Sequence, residues 1–335
     1  MVIAILAAIY FVAGTLGLKL ASVHVSTTAV WPPTGITLAA LLLLGYRVWP
    51  GIFLGAFLVN LTTSGYTAVS FATSIGIATG NTLEGLVGAF LVERFANGRN
   101  AFNRPRDIFT FTLLAATFST AVSATFGVTS LALGGLAHWT DYGPIWLTWW
   151  LGDMGGDLVV APLLLLWWAE PRIRWSGRQV LEVSLLLAYL FAVGQVVFGG
   201  WFSTGARNYR LALAIPLVVA AAFRLGQRET ATVIFLLAGV ALWGTVRGSG
   251  PFVRATQNEA LLLLQCFLGV TVVLAMPLAA VVSEHKRAEK AIRENEAKFR
   301  AVFEKSLDAI GRRGFRTQAG RSETGIVGKA FSTTG

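Results

Sequence analysis

The chain has 335 residues, of which 55% are apolar and 13% charged, against about 25% charged in an average soluble domain, so a water-soluble globule is excluded. Its +10 net charge and pI near 10.3 suit phosphate binding. However, most Lys and Arg of the first 284 residues lie between apolar segments, where they mark the cytoplasmic side of a membrane protein. The expected surroundings are therefore a lipid bilayer and not a nucleic acid. The last 51 residues hold 12 of the 27 basic and 6 of the 17 acidic side chains, which marks them off as a soluble tail.

Apolar stretches of about 20 residues, enough to cross a bilayer as helix, fall at roughly 2 to 21, 68 to 94, 107 to 133, 142 to 169, 178 to 199, 208 to 225, 228 to 247 and 258 to 283. Between the first two lies a ninth apolar region, 34 to 62, broken at Gly45-Tyr46-Arg47 and at Pro50-Gly51. Its halves are short, so it forms either a re-entrant helical hairpin or two thin crossings. The expected fold is an all-α integral membrane bundle of about eight crossings plus a short hairpin, ten if the hairpin spans, followed by a cytoplasmic linker helix.

Arg94, Arg99, Arg104 and Arg106 around one loop, and Arg172, Arg174 and Arg178 around another, assign both loops to the cytoplasm. Alternation then places the Arg224 to Arg228 turn and the C-terminal tail on the same side. Two outer loops, near Arg207 and Arg210 and near Arg247 and Arg254, weaken the rule without reversing it. The start, Met1-Val2-Ile3, has no basic leader and reads as a first crossing. Cys266 stands alone, and His24, His138 and His285 are scattered, so no metal site or cofactor is expected.

Ionisable groups at membrane depth are expensive and mark function by default. Glu84 follows Asn81 by three residues, which puts both on one helical face. Trp146, Trp150, Asp153 and Asp157 run at spacings of 4, 3 and 4 and share one stripe. Gly152, Gly155 and Gly156 beside them allow a close helix approach or a kink. The expectation is a polar pocket lined by Asn81, Glu84 and Asp153, with Asp157 nearer the helix end, under Trp146, Trp149 and Trp150. It would take a cation, a proton or a small ligand; alternatively, these groups tie helices together by hydrogen bonds. Trp31-Pro32-Pro33-Thr34 reads as a rigid lead-in at the outer boundary with Thr34 as a cap, serving as a ligand-gating lip or an interfacial anchor. Asn60 either caps the hairpin or faces the same cavity.

After Pro277, Val281, Ala288, Ile292, Asn295, Phe299 and Val302 follow a coiled-coil seam on which Asn295 would set the register of a parallel dimer. Ile292, Asn295 and Phe299 are thus the expected homodimer contacts, the alternative being an amphipathic linker helix packed on a following domain. A continuous helix leaving the membrane is also a conduit for motion.

The runs WPPTGITLAALLLLGYRVWPGIFLGAFLVN (31 to 60), GNTLEGLVGAFL (80 to 91) and WLTWWLGDMGGDLVVAPLLLLW (146 to 167) resemble the membrane-associated sensor family of the first type (MASE-one) over about residues 1 to 283. The resemblance implies a bacterial inner-membrane sensor with about eight crossings and a cytoplasmic C-terminus. It also implies Trp31, Pro32, Pro33, Asn81, Glu84, Trp149, Gly152, Asp153 and Pro162 as characteristic positions. Such modules precede histidine kinase, diguanylate cyclase or PAS domains, in two-component or cyclic di-GMP signalling. Residues 285 to 310 resemble the linker and opening helix of a PAS domain. From Gly311 the resemblance stops, and 311 to 335 is expected to be a disordered, truncated or frame-shifted remnant.

The expected organisation is therefore a membrane sensor at 1 to 283, a linker at 284 to 310 and a remnant at 311 to 335, with no enzymatic activity and its output domain missing. It would pass a ligand or membrane signal to that output. A transporter or channel using intramembrane acids is the competing class, although a second broken region to pair with 34 to 62 is absent.

Overall fold

A computed structural model describes residues 1–19, 30–173, 175, 177–199 and 213–327, and among them every regular element is helical. In chain order these are α1 (Val2–Lys19), α2 (Pro32–Leu44), α3 (Trp49–Ser64), α4 (Ala68–Phe95), α5 (Pro105–Phe111), α6 (Thr120–Leu133), α7 (Tyr142–Ala169), α8 (Gly177–Val197), α9 (Ala214–Arg224), α10 (Gln227–Val246) and α11 (Gln257–Val327). Seven helical stretches are long and apolar enough to cross a membrane. The expected polytopic bundle is therefore present, with about seven long crossings among the described residues. Of the stretch expected at 208 to 225, the described residues hold the 11 of α9, about 16 Å of helix; 208 to 212 lie outside the described residues, as do Arg207 and Arg174.

Prolines and glycines punctuate the bundle as their backbone chemistry requires. Pro32, Pro50 and Pro105 sit in the first turns of α2, α3 and α5, where a missing N–H costs nothing. Gly45 and Gly65 end α2 and α3 at φ +83° and +86°, a region that side chains with Cβ avoid. Between α5 and α6, Thr112–Ser119 forms a π-helix. Its wider turn lets the Thr117 hydroxyl donate five residues back to Thr112 O at 2.8 Å, while Thr117 O accepts from Trp150 Nε1 at 2.8 Å.

The compact unit Met1–Ser283 is held by close backbone approaches. α1 and α3 run parallel, since a Cβ on Gly51 would lie 2.6 Å from Ile3 O and one on Gly55 2.6 Å from Tyr10 Cβ. α4 runs antiparallel to α6 and the segment before it, through Gly80 against Phe126 of α6 and Gly88 against Ser119 at the end of the π-helix. One end of this unit gathers the arginine-bearing loops. Gln227 Nε2 donates to Phe102 O, and Tyr46 in the α2–α3 bend donates to Glu93 at 2.7 Å. Arg228 donates to Glu170 O at 2.7 Å, pairs with Glu229 and lies 4.8 Å over the Trp167 ring. The loops that charge counting put on one side do share one end.

The hairpin is where expectation and structure part. Trp31 N–H donates to Gly152 O at 2.9 Å, and Gly152 lies about 15 Å along α7 from Tyr142 at helical rise. That is half of a hydrocarbon thickness of about 30 Å. α2 therefore starts in the middle of the bundle and covers half its depth. Trp31 is buried, so Trp31-Pro32-Pro33 is neither an interfacial anchor nor a lip at the outer boundary.

The second unit, Glu284–Gly335, is described as α11 helix up to Val327. Residues 311 to 327, expected to be disordered, thus have helical backbone; Arg, Gln, Ala and Glu there are adequate helix formers. Surface pairs Arg293–Glu289 at 2.5 Å and Lys290–Glu294 at 3.8 Å follow the four-residue period. Ile292, Asn295, Phe299 and Val302 are all exposed in the single chain.

Candidate functional site

The polar centre forms where α1, α2, α4, α6 and α7 meet. Tyr10 arrives from the middle of α1, fully buried, because parallel packing on α3 puts it beside Gly55. Its hydroxyl accepts from Asn81 Nδ2 at 2.9 Å and is also bonded by the Trp31 side chain. Asn81 Oδ1 accepts from Ser123 Oγ at 2.7 Å, and Ser123 Oγ accepts from Trp149 Nε1 at 3.2 Å. Five elements are thereby joined through one amide, two hydroxyls and two indoles.

The carboxyls lie against this chain. Thr34 Oγ1 donates to Asp153 Oδ1 at 3.1 Å, and Ser123 and Trp149 also face Asp153. Glu84 neighbours Ser123 and lies within electrostatic range of Asp153 and Asp157. All three acids are at most 2% exposed. Glu84 Oε1, Asp153 Oδ2, Asp157 Oδ1 and Thr37 Oγ1 are buried without a hydrogen-bond partner, an expensive condition in a dry interior. No set of three or more His, Cys, Asp or Glu side chains among the described residues is placed to hold a metal ion.

Glycine makes the meeting of α2 and α7 possible. A Cβ on Gly156 would fall 2.1 Å from Trp31 O, and one on Gly35 2.4 Å from Gly156 O. The run at Gly152 to Gly156 therefore serves close approach. On the other side of α2, Gly85, next to Glu84, receives Thr37, whose methyl would lie 2.3 Å from an added Cβ. Both acid-bearing helices thus press backbone against the short helix.

Of the residues singled out in sequence, Trp31, Asn81, Glu84, Trp149 and Asp153 come together, with Asp157 one turn on and equally buried. Pro32 and Pro33 supply the first turn of α2. Trp146 and Trp150 do not roof the acids. They stack on each other at 5.5 Å and bond to Thr125 at 3.1 Å and to Thr117 O, because their part of α7 faces α6 and the π-helix. Asn60 neither caps nor joins the cluster; its Nδ2 donates to Ala56 O in its own helix at 2.8 Å. Thr34 leaves the cap position to Trp31, which makes no side-chain cap bond, and turns to Asp153. Tyr10 and Ser123 were missed in sequence. A lone tyrosine midway along an apolar crossing is a signal that could have flagged the first; the second is one hydroxyl among many.

Comparison with known proteins agrees with this architecture. The MASE1 family model matches residues 2–286. The chain is also similar to the "Probable diguanylate cyclase DgcE" of Escherichia coli (strain K12), at 27% identity over 304 residues, which is 90% of this chain and 26% of that protein. It thus spans about a quarter of the length of that relative. No solved structure matches. With its family model covering nearly the whole bundle, the chain belongs to the MASE1 membrane sensor domains and is a multi-pass membrane protein.

Proposed function

We propose that residues 1 to 283 form the sensory input domain of a bacterial inner-membrane signalling protein and catalyse no reaction themselves. The buried network of Glu84, Asn81, Asp153 and Asp157, with Trp31 and Trp149, is the site that receives a ligand or membrane signal. α11 carries the response to a cytoplasmic output of the PAS, histidine kinase or diguanylate cyclase kind, working as a homodimer through Ile292, Asn295 and Phe299. The observation that carries this reading is that α2 starts at mid-depth with its first turn bonded to Gly152 and Asp153. A short helix ending on a buried acid can have two positions on α7, and a signal that favours one of them shifts the population. That the similar Escherichia coli protein is named a probable diguanylate cyclase suits a cyclase as output.

The test is a fusion of residues 1 to 303 to a diguanylate cyclase domain, assayed in membranes for cyclic di-GMP. Glu84→Gln and Asp153→Asn are expected to lock the output at one level while the protein remains folded and inserted. If both variants match the parent under every condition that changes its output, the buried acids are scaffold. Proton or ion flux in proteoliposomes that requires Glu84 or Asp153 would favour a transporter instead.

A further inference from the structure

Three buried carboxyls share one region of the bundle, and among the described residues no cation faces them. Arg228 is the one buried basic residue among the described residues, and it is committed to Glu229, Trp167 and the carbonyls of Glu170 and Arg172. Around the acids, Tyr10 of α1 is the one other titratable group among the described residues. α2 and α6 bring only the hydroxyls of Thr34, Thr37 and Ser123, and α4 and α7 bring the acids themselves with Asn81 and Trp149.

The donor inventory narrows what can occupy the cluster. Ser123 spends its single proton on Asn81 Oδ1 and one lone pair on Trp149, so it has only a lone pair left for a carboxyl. Asn81 spends a proton on Tyr10. Thr34 donates to Asp153. Glu84 Oε1, Asp157 Oδ1 and the second oxygen of Asp153, Oδ2, have no donor. A carboxylate ion needs donors it does not find there, whereas a carboxylic acid brings its own and can give it to Ser123. The first turn of α2 distinguishes Asp153 from the other two. It receives the Thr34 hydroxyl at 3.1 Å, a donor that neither Glu84 nor Asp157 has.

We infer that Glu84, Asp153 and Asp157 form a proton-binding site that holds at most one negative charge, on Asp153, and that filling it loosens α2 from α7. The step is a plain association: an Asp153 carboxylate oxygen takes a proton from hydronium, which leaves as water, and becomes an acid. The charge-assisted bond from Thr34 then becomes a neutral one, about half as strong. Glu84 and Asp157 keep their protons throughout. The inference deepens the sensing role proposed for the same cluster, with the proton as the ligand that moves α2.

Infrared difference spectroscopy of the purified protein in lipid vesicles reads carboxylic acids directly. Acid carbonyl bands are expected at neutral pH, one lost in Glu84→Gln and another in Asp157→Asn. A further band should appear on acidification and be absent in Asp153→Asn. Thr34→Val leaves all three acids in place and is expected to change that titrating band, while Thr62→Val, whose hydroxyl bonds within its own helix, leaves it as in the parent. Absence of any acid band at neutral pH, or a parent-minus-Asp153→Asn difference spectrum in which no titrating acid band remains after the surface carboxyls common to both cancel, overturns the inference. A normal titrating band in a protein whose cyclase fusion ignores Asp153→Asn would uphold the proton site and refute the sensing role.

Discussion

Gly156→Ala attacks the contact on which the whole site depends. The new methyl would lie 2.1 Å from Trp31 O, 3.0 Å from Trp31 C and 3.3 Å from Thr34 Cβ. An ordinary carbon–oxygen contact is about 3.3 Å, so α2 must retreat by about 1 Å. The obstacle is main chain and has no rotamer to escape into. Overpacking of this kind costs about 1–3 kcal/mol. The same retreat stretches the Trp31–Gly152 and Thr34–Asp153 bonds of 2.9 and 3.1 Å, each worth about 1 kcal/mol. A loss of about 2–4 kcal/mol is expected, read by circular dichroism as a lower unfolding temperature in detergent. Gly239→Ala is the control, because a Cβ on Gly239 meets nothing within 4 Å; it should be neutral or stabilising by up to about 1 kcal/mol from helix propensity alone. If Gly156→Ala unfolds at the control's temperature, α2 does not press on α7 as described, and the site built on that contact falls with it.

Arg228→Ala removes the cation at the arginine-bearing end and leaves Glu229 uncompensated, costing about 2–4 kcal/mol in the same unfolding measurement; Arg228→Lys is expected to recover little of this, since a point charge cannot serve two carbonyls, a carboxylate and a ring together. Trp150→Phe takes the indole donor from Thr117 O and should cost about 1 kcal/mol, whereas Trp168→Phe, an exposed position, should cost nothing measurable. For the proposed dimer, Asn295→Cys in a Cys266→Ser background should cross-link between chains on oxidation in membranes. Glu296→Cys, one position off the seam, should not; equal cross-linking of the two refutes the seam.

How much of this was legible in the sequence follows from what the bilayer does to pattern. Apolar length found nearly every crossing, and arginines between them grouped loops that do meet at one end. Glu84, Asp153 and the glycines beside Asp153 stood out because carboxyls and clustered glycines are conspicuous in an apolar run. Periodicity could not show which face of a helix looks inward, since lipid and bundle interior are both apolar. Trp146 and Trp150 were therefore assigned to the acids by spacing, although their part of α7 turns to α6. The depth of α2 was hidden for a related reason: a tryptophan followed by two prolines suits a membrane boundary, and only the Trp31 to Gly152 bond shows the pair at mid-bundle. Tyr10 and Ser123 carry no charge, and their importance comes from partners distant in the chain.

The π-helix at Thr112–Ser119 has a consequence for insertions and deletions. A π-turn holds one residue more than an α-turn, and each residue of an α-helix turns the chain by about 100°. Removing one residue from this segment would let the helix close into ordinary α geometry without shortening the crossing appreciably. Because the extra residue is taken up inside the wider turn, such a deletion keeps Ser123 near its present angular phase towards Asn81 and Trp149, whereas deleting a residue from the regular helix between Thr120 and Val122 turns Ser123 away by about 100°. The chain has no obvious sequence mark at this point, yet its angular phase beyond Thr120 is set there. Single-residue deletions between Thr112 and Ser119 should therefore harm the buried network less than a single-residue deletion between Thr120 and Val122, where no wide turn is present to absorb the change of phase.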